Sequence, residues 1–148
     1  SFCGAAAAVG TEYTLPGVSQ SVIITRMAGR TPVPERESIA ALAAHGATMV
    51  IFLSARMLEG LSTELLKGAY TPDTPAALVY KATWPEEKVV RCTVGTLAKA
   101  GREHQISKTA LVLVGGFLSH SYQRSLLYHP GFTTEFRQGD GSLDGAAL

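Results

Sequence analysis

Thr48-Met49-Val50-Ile51-Phe52-Leu53 is apolar from its second residue onward and shows no alternation of apolar with polar side chains. A strand with one solvated face alternates, whereas one that does not is buried on both faces, as in a parallel sheet covered by helices. The run stops at Ser54. In open α/β sheets the carboxyl ends of such strands face the ligand crevice. Leu53-Ser54 is therefore either the edge of a site or simply the end of a strand.

Reading outward toward the amino terminus, Ser21–Thr25 is short and β-branched, the composition of another strand. A Pro16-Gly17 turn leads into it, and it ends beside Arg26 and Arg30. Pro32-Val33-Pro34 then opens a helix. Pro34 suits the first helical position, and Glu35 and Glu37 fall in the first turn, where the helix dipole favours acids. Ile39, Leu42 and Ala43 form its apolar stripe, and Gly46 after His45 is its predicted stop. Further upstream, Phe2–Val9 reads as a helix.

Toward the carboxyl terminus, Met57, Leu58, Leu61, Leu65 and Leu66 mark one face of a helix that ends at Gly68. A loop over Thr71–Pro75 precedes a strand at Ala76–Tyr80. The turn Lys81–Glu87 joins it to a returning strand, Lys88–Thr93, so the sheet is expected to be mixed. Val94–His104 reads as a helix with Leu97 and Ala98 inward, and Thr109–Val114 as the last clear strand, closed by Gly115-Gly116. Ser121–Leu127 suits a short helical segment, and the Gly-rich Gln138–Leu148 a frayed, disordered tail. The order β-α-β-α-β-β-α-β predicts an α/β fold, a three-layer α/β/α sandwich with a mixed sheet of about five strands and right-handed crossovers.

A chain of 148 residues can bury one ordinary core, and 46% apolar against 17% charged residues argues against disorder. Net charge is +1 with both signs interspersed, which does not suggest a nucleic-acid partner. The longest apolar runs are about six residues, against the roughly 20 that cross a bilayer, so no membrane partner is expected. Ser1-Phe2-Cys3-Gly4 and the alanines after it lack the basic start of a secretory signal, and a cytoplasmic location is the expectation. Cys3 and Cys92 make neither a disulfide framework nor a zinc site, and are read as buried or half-buried free thiols. The chain does not begin with Met, and Phe2–Val9 looks like a helix entered partway, so a piece of a longer protein is expected.

No G-x-G-x-x-G, phosphate loop, nucleophile elbow or H-E-x-x-H occurs. His45, His104, His120 and His129 lie on different elements without metal-ligand spacing, and solvated or capping roles suit them. Glu86-Glu87 is a solvated turn pair. Trp84 beside Pro85 either lids a planar ligand or plugs a hairpin end. Arg26 and Arg30 are stronger candidates, because two guanidiniums at one strand end can fork onto carboxylates. Surface salt bridges are the equal alternative.

Longer-range pattern matches add to this. Tyr13-Thr14-Leu15-Pro16-Gly17-Val18-Ser19-Gln20-Ser21, Thr25-Arg26, Thr31-Pro32-Val33-Pro34-Glu35, His45-Gly46-Ala47-Thr48, Ile51-Phe52-Leu53-Ser54, Tyr80-Lys81-Ala82-Thr83-Trp84-Pro85, Leu113-Val114-Gly115 and Phe136-Arg137 follow one another in order. In these stretches the chain resembles the tetrapyrrole (corrin) methyltransferases, in their precorrin-4 C11-methyltransferase branch, from Ser1 to about Arg137. The resemblance implies a trough between a Rossmann-like first domain and an α/β second domain, S-adenosyl-L-methionine between them, and a homodimer. It assigns residues 1–18 to the end of the first domain and the linker, and 19–137 to the second domain. The family's glycine-rich first loop and G-x-D segment do not occur here.

By the same resemblance, Ser1 matches a small residue near the methionine portion of the cofactor, Leu53 an apolar position whose backbone meets the adenosine, and Ala82 a small residue beside the adenine. Arg26 and Arg30 match positions at the trough, suited to the acetate and propionate groups of a tetrapyrrole substrate. The implied reaction, a step of cobalamin biosynthesis, moves a methyl group to C11 of (cobalt-)precorrin-4. Alignment would do most of the catalysis, with no residue required as general base and no metal site. The chain alone is expected to fold without turning over. Another tetrapyrrole methylase, of the precorrin-2 or diphthine type, and a non-catalytic dimerisation module are the alternatives. Arg30-Thr31-Pro32-Val33-Pro34 and Trp84-Pro85 favour the C11 branch.

Overall fold

In a computed structural model the described residues are 1–119, 130–140 and 142. The elements run α1 (Phe2–Val9), β1 (Val22–Arg26), α2 (Ile39–Ala43), β2 (Thr48–Phe52), α3 (Leu58–Leu65), β3 (Pro75–Tyr80), β4 (Lys88–Thr93), α4 (Leu97–Glu103) and β5 (Ala110–Val114). The strands form one five-stranded sheet in the order β1-β2-β5-β3-β4. β1 and β2 are parallel, from Val22 opposite Thr48 to Arg26 opposite Phe52. β5 is antiparallel to both β2 and β3, and β3 and β4 form the antiparallel hairpin. The sheet is thus mixed, as expected. These directions bring the carboxyl ends of β1, β2 and β3 to one edge, together with the amino ends of β4 and β5.

The unalternating β2 run is explained by cover on both faces. Met49 and Ile51 point into a core with Ile39 and Ala43 of α2, Leu58, Leu61 and Leu65 of α3, and Leu97 and Ala100 of α4. Val50, between them in sequence, points the other way, as strand geometry requires. It joins Ala77, Val79 and Leu113 under Ala5 and Val9 of α1, with Tyr13, Leu15 and Phe117 completing that layer. Helices on both faces make this the expected three-layer sandwich. Each fully buried Leu, Ile or Phe contributes roughly 1.5–3 kcal/mol, so the twin cores dominate the stability.

Polar ties lock α1 onto its face. The Tyr13 hydroxyl donates to the Phe2 carbonyl at 2.6 Å, and buried Thr48 Oγ1 donates to the Tyr13 carbonyl at 2.7 Å. The Arg91 guanidinium donates to the Val9 carbonyl at 2.8 Å, a cation at the carboxyl end of α1 where the helix dipole favours it. Gly10 ends α1 in the left-handed conformation, φ 70°.

Several boundaries differ from expectation. Pro34 heads a 3-10 turn, Glu35–Glu37, and α2 starts only after Ser38, whose Oγ accepts from the Ala41 N–H at 3.2 Å. Two start signals lie four residues apart, and the one that satisfies an orphan helix donor sets the α-helix. Thr93 and Thr96 form a capping box around the 3-10 turn Val94–Thr96, ahead of α4. The inward face of α4 is Leu97, Ala100 and Gly101, while Ala98 is only half-buried. Cys3 is exposed and Cys92 half-buried, so the buried-thiol expectation fails for Cys3. The expected tail is tied back at its start: Gly139 and Asp140 donate to Thr133 Oγ1 and the Pro130 carbonyl. The remainder of that segment apart from Ser142, the Ser121–Leu127 helix, His120 and His129 lie outside the described residues. Among the described residues no helix is long and apolar enough to cross a membrane.

Candidate functional site

The site is built where β1, β2 and β3 end. Beyond the last ladder bonds, buried Ser54 stitches β1 to β2: its Oγ accepts from the Met27 N–H at 3.2 Å and donates to the Phe52 carbonyl at 2.8 Å. This bridge turns the chain so that Leu53, immediately before Ser54, stands 79% exposed with φ 55°. Lys81 (φ 46°) and Thr83 (φ 74°) follow β3, and Thr109 (φ 54°) precedes β5. All four are non-glycine residues in the left-handed region, which costs an L-residue about 1–2 kcal/mol. Such strain persists where the surroundings over-determine it and clusters at functional sites. Here the Lys81 N–H donates to the Thr109 carbonyl at 2.9 Å, and the Thr83 N–H to Glu87 Oε2 at 2.6 Å.

These strand ends enclose a cavity of about 810 Å³, within the size range of small-molecule sites. Ser1, Arg26, Arg30, Leu53 and Ala82 all line it, so the five positions singled out in the sequence share one crevice. Ser1 reaches it because α1 abuts the Ala82-Thr83 turn. A Cβ on Gly4 would lie 2.8 Å from Thr83 Cγ2, so any larger residue there would make the Thr83 side chain shift. Trp84 does not plug the hairpin; the residue is 55% exposed and forms part of the wall.

The two arginines part company. Arg26 forks onto the loop that follows β1, donating to the Thr31 carbonyl at 3.2 Å and the Pro32 carbonyl at 2.9 Å, with a longer bond to the Met27 carbonyl. These bonds tie Arg26 to both sides of the loop that carries Arg30. Arg30 is exposed and has no hydrogen bond or ion pair among the described residues. Among the described residues neither arginine forms a surface salt bridge.

Three lining cations escaped the sequence reading: Arg56, Lys81 and Lys108. Each lies within a few residues of an end of an apolar strand, and that proximity was the available signal. Lys81 lies over the Trp84 ring, 5.1 Å from its centroid, and 3.4 Å from Glu86. Among the described residues, five cations therefore line the cavity and no acid does. Low-dielectric walls around one sign of charge focus the field and concentrate counter-charged ligands. His45 and His104 are exposed and do not line it, and among the described residues no cluster of three His, Cys, Asp or Glu could hold a metal. Burial pushes Tyr13 and Tyr70 up to about 12 and Cys92 up to about 11, with the neighbouring Cys3 adding to the effect at Tyr13. None of the three lines the cavity.

A cationic, apolar-walled crevice with an aromatic rim suits a flat, anionic ligand. Three comparisons with known proteins bear on which. The family model of the tetrapyrrole (corrin/porphyrin) methylases matches residues 1–98. The cobalt-precorrin-4 C(11)-methyltransferase of Methanocaldococcus jannaschii is 45% identical over 139 residues, 93% of this chain and 54% of that protein. A solved cobalamin biosynthetic enzyme, a cobalt precorrin-4 methyltransferase, superposes with a TM-score of 0.77 at 45% identity, over 79% of this chain and 49% of that one. The uroporphyrin-III C-methyltransferase of Thermus thermophilus, complexed with S-adenyl homocysteine, shares the fold at 19% identity, with a TM-score of 0.62 over 77% of this chain and 50% of that one. The chain spans about half the length of the curated relatives it matches.

Proposed function

The chain belongs to the tetrapyrrole (corrin/porphyrin) methylases, and from that premise we propose that it is the C-terminal α/β part of a methyltransferase acting on C11 of a (cobalt-)precorrin-4 macrocycle in cobalamin biosynthesis. The observation that carries this reading is the crevice itself, apolar at Leu53, Ala82 and Trp84 yet lined, among the described residues, by five cations and no acid. A precorrin carries acetate and propionate carboxylates around the rim of a largely hydrocarbon macrocycle, the matching arrangement. The relatives' names and the methylase bound to S-adenyl homocysteine support S-adenosyl-L-methionine as methyl donor. When bound, that cofactor supplies a methyl group on a sulfonium centre.

The residues present suit it. Ala82 and Leu53 offer small and apolar contact to a flat adenine, and both line the crevice. Ser1 flanks the methionine end. Arg30 meets the substrate's carboxylates, while Arg26 holds the loop that presents it. The chain contributes orientation and water exclusion rather than a reacting group, and fixing two reactants in line can supply much of a methyl transfer's acceleration. In this reading residues 19–137 form the second domain of a cytoplasmic homodimer, and 1–18 the passage into it.

Joining the chain to the amino-terminal half of the Methanocaldococcus relative tests the reading. Transfer of labelled methyl to cobalt-precorrin-4 is expected from the chimera and not from the 148-residue chain. A folded chimera without activity, or appreciable turnover by the chain alone, would contradict it.

A further inference from the structure

The five cavity cations divide by what they already hold. Arg26 is committed to the carbonyls of its own loop, and Lys81 to Glu86 and the ring faces of Tyr80 and Trp84. Arg30, Arg56 and Lys108 are exposed and hold nothing among the described residues. They come from three separate loops, after β1, after β2 and before β5, yet border one cavity. Elsewhere several surface cations sit with acids, as in Lys67–Glu64 and Lys99–Glu103. Three like charges from separate loops thus border one cavity that, among the described residues, no acid lines, and a polyanion could join all three.

We infer that Arg30, Arg56 and Lys108 form a three-point cradle for the carboxylates of a flat polyanion, and that Arg26 lies outside it as a positioning residue. Two guanidinium forks and one ammonium suit carboxylates spread around a rim: each fork fixes a direction, and the lysine adds an adaptable point charge. That the polyanion is a tetrapyrrole rests on the methylase reading; the cradle rests on the side chains alone.

Trp84 is the only tryptophan of the chain and part of the wall, so its fluorescence reports binding. The probes are uroporphyrin III, a tetrapyrrole octacarboxylate, and benzenehexacarboxylate, which is flat and polyanionic but no tetrapyrrole. Arg30→Gln, Arg56→Gln and Lys108→Gln are each expected to weaken a binding probe about three- to tenfold and to flatten its salt dependence. Lys99→Gln, away from the cavity, stays within about twofold. Arg26→Gln should expose residues 27–34 to protease while keeping the salt slope; a slope flattened as much as in Arg56→Gln would make it a direct contact and overturn its positioning role. If uroporphyrin binds and the three variants leave its affinity unchanged, the cradle falls and the tetrapyrrole reading stands. If only benzenehexacarboxylate binds and the variants weaken it, the cradle stands and the tetrapyrrole reading falls. Binding of neither probe to the unmodified chain overturns the cradle.

Discussion

Leu53 is the residue where fold and site most visibly conflict. A leucine that is 79% exposed at φ 55° gains little from burial and carries left-handed strain. Leu53→Gly removes a strain of about 1–2 kcal/mol and adds back roughly 0.5–1 kcal/mol of chain entropy. The expected net is a gain of about 0.5 kcal/mol, read as a higher urea midpoint with an unchanged slope; a clear loss would mean the surroundings favour the leucine. The sequence marked Leu53 as a strand end but not its handedness, which follows from the Ser54 bridge between β1 and β2. Arg26 and Arg30 were likewise legible as a pair at one strand end. Their division of labour was not, because a guanidinium's partners depend on the path of residues 27–32, and composition does not encode that path.

At the scale of elements, apolar runs and helical stripes located the strands and helices, because burial on one or two faces writes its period into the sequence. The edges of elements were less legible. Pro34 and Ser38 both signal a helix start, and only the bond from the Ala41 N–H to Ser38 Oγ separates a 3-10 turn from α2. Close packing between helices was also hidden. Gly68, read as the stop of α3, lies where a Cβ would come within 2.5 Å of the Ala43 carbonyl carbon, and the Ala69 N–H donates to that same carbonyl group at 3.0 Å. The obstacle is backbone, which cannot rotate aside. Gly68→Ala is therefore expected to cost about 2–3 kcal/mol, measured by chemical denaturation, as α3 is pushed off α2. A loss below about 0.5 kcal/mol would show that the two helices separate freely.

For the whole molecule, the sequence carried the fold class and the β3–β4 hairpin but not the place of β5 between β2 and β3, since strand order is set by long-range pairing. Nor did it carry the charge pattern. A net charge of +1 with interspersed signs looks unremarkable along the chain. Among the described residues, folding brings five cations and no acid onto the lining of one cavity. On the proposed function, this edge of the sheet, where β1, β2 and β3 end, receives the ligands of a methylase. The most direct test is an amide chemical-shift titration of the chain with S-adenosylhomocysteine. Shifts at Leu53, Ala82 and their neighbours, with the opposite edge around Thr74, Gly95 and Gly115 unmoved, are the predicted result. Shifts confined to that opposite edge, or none up to the ligand's solubility limit, would contradict it.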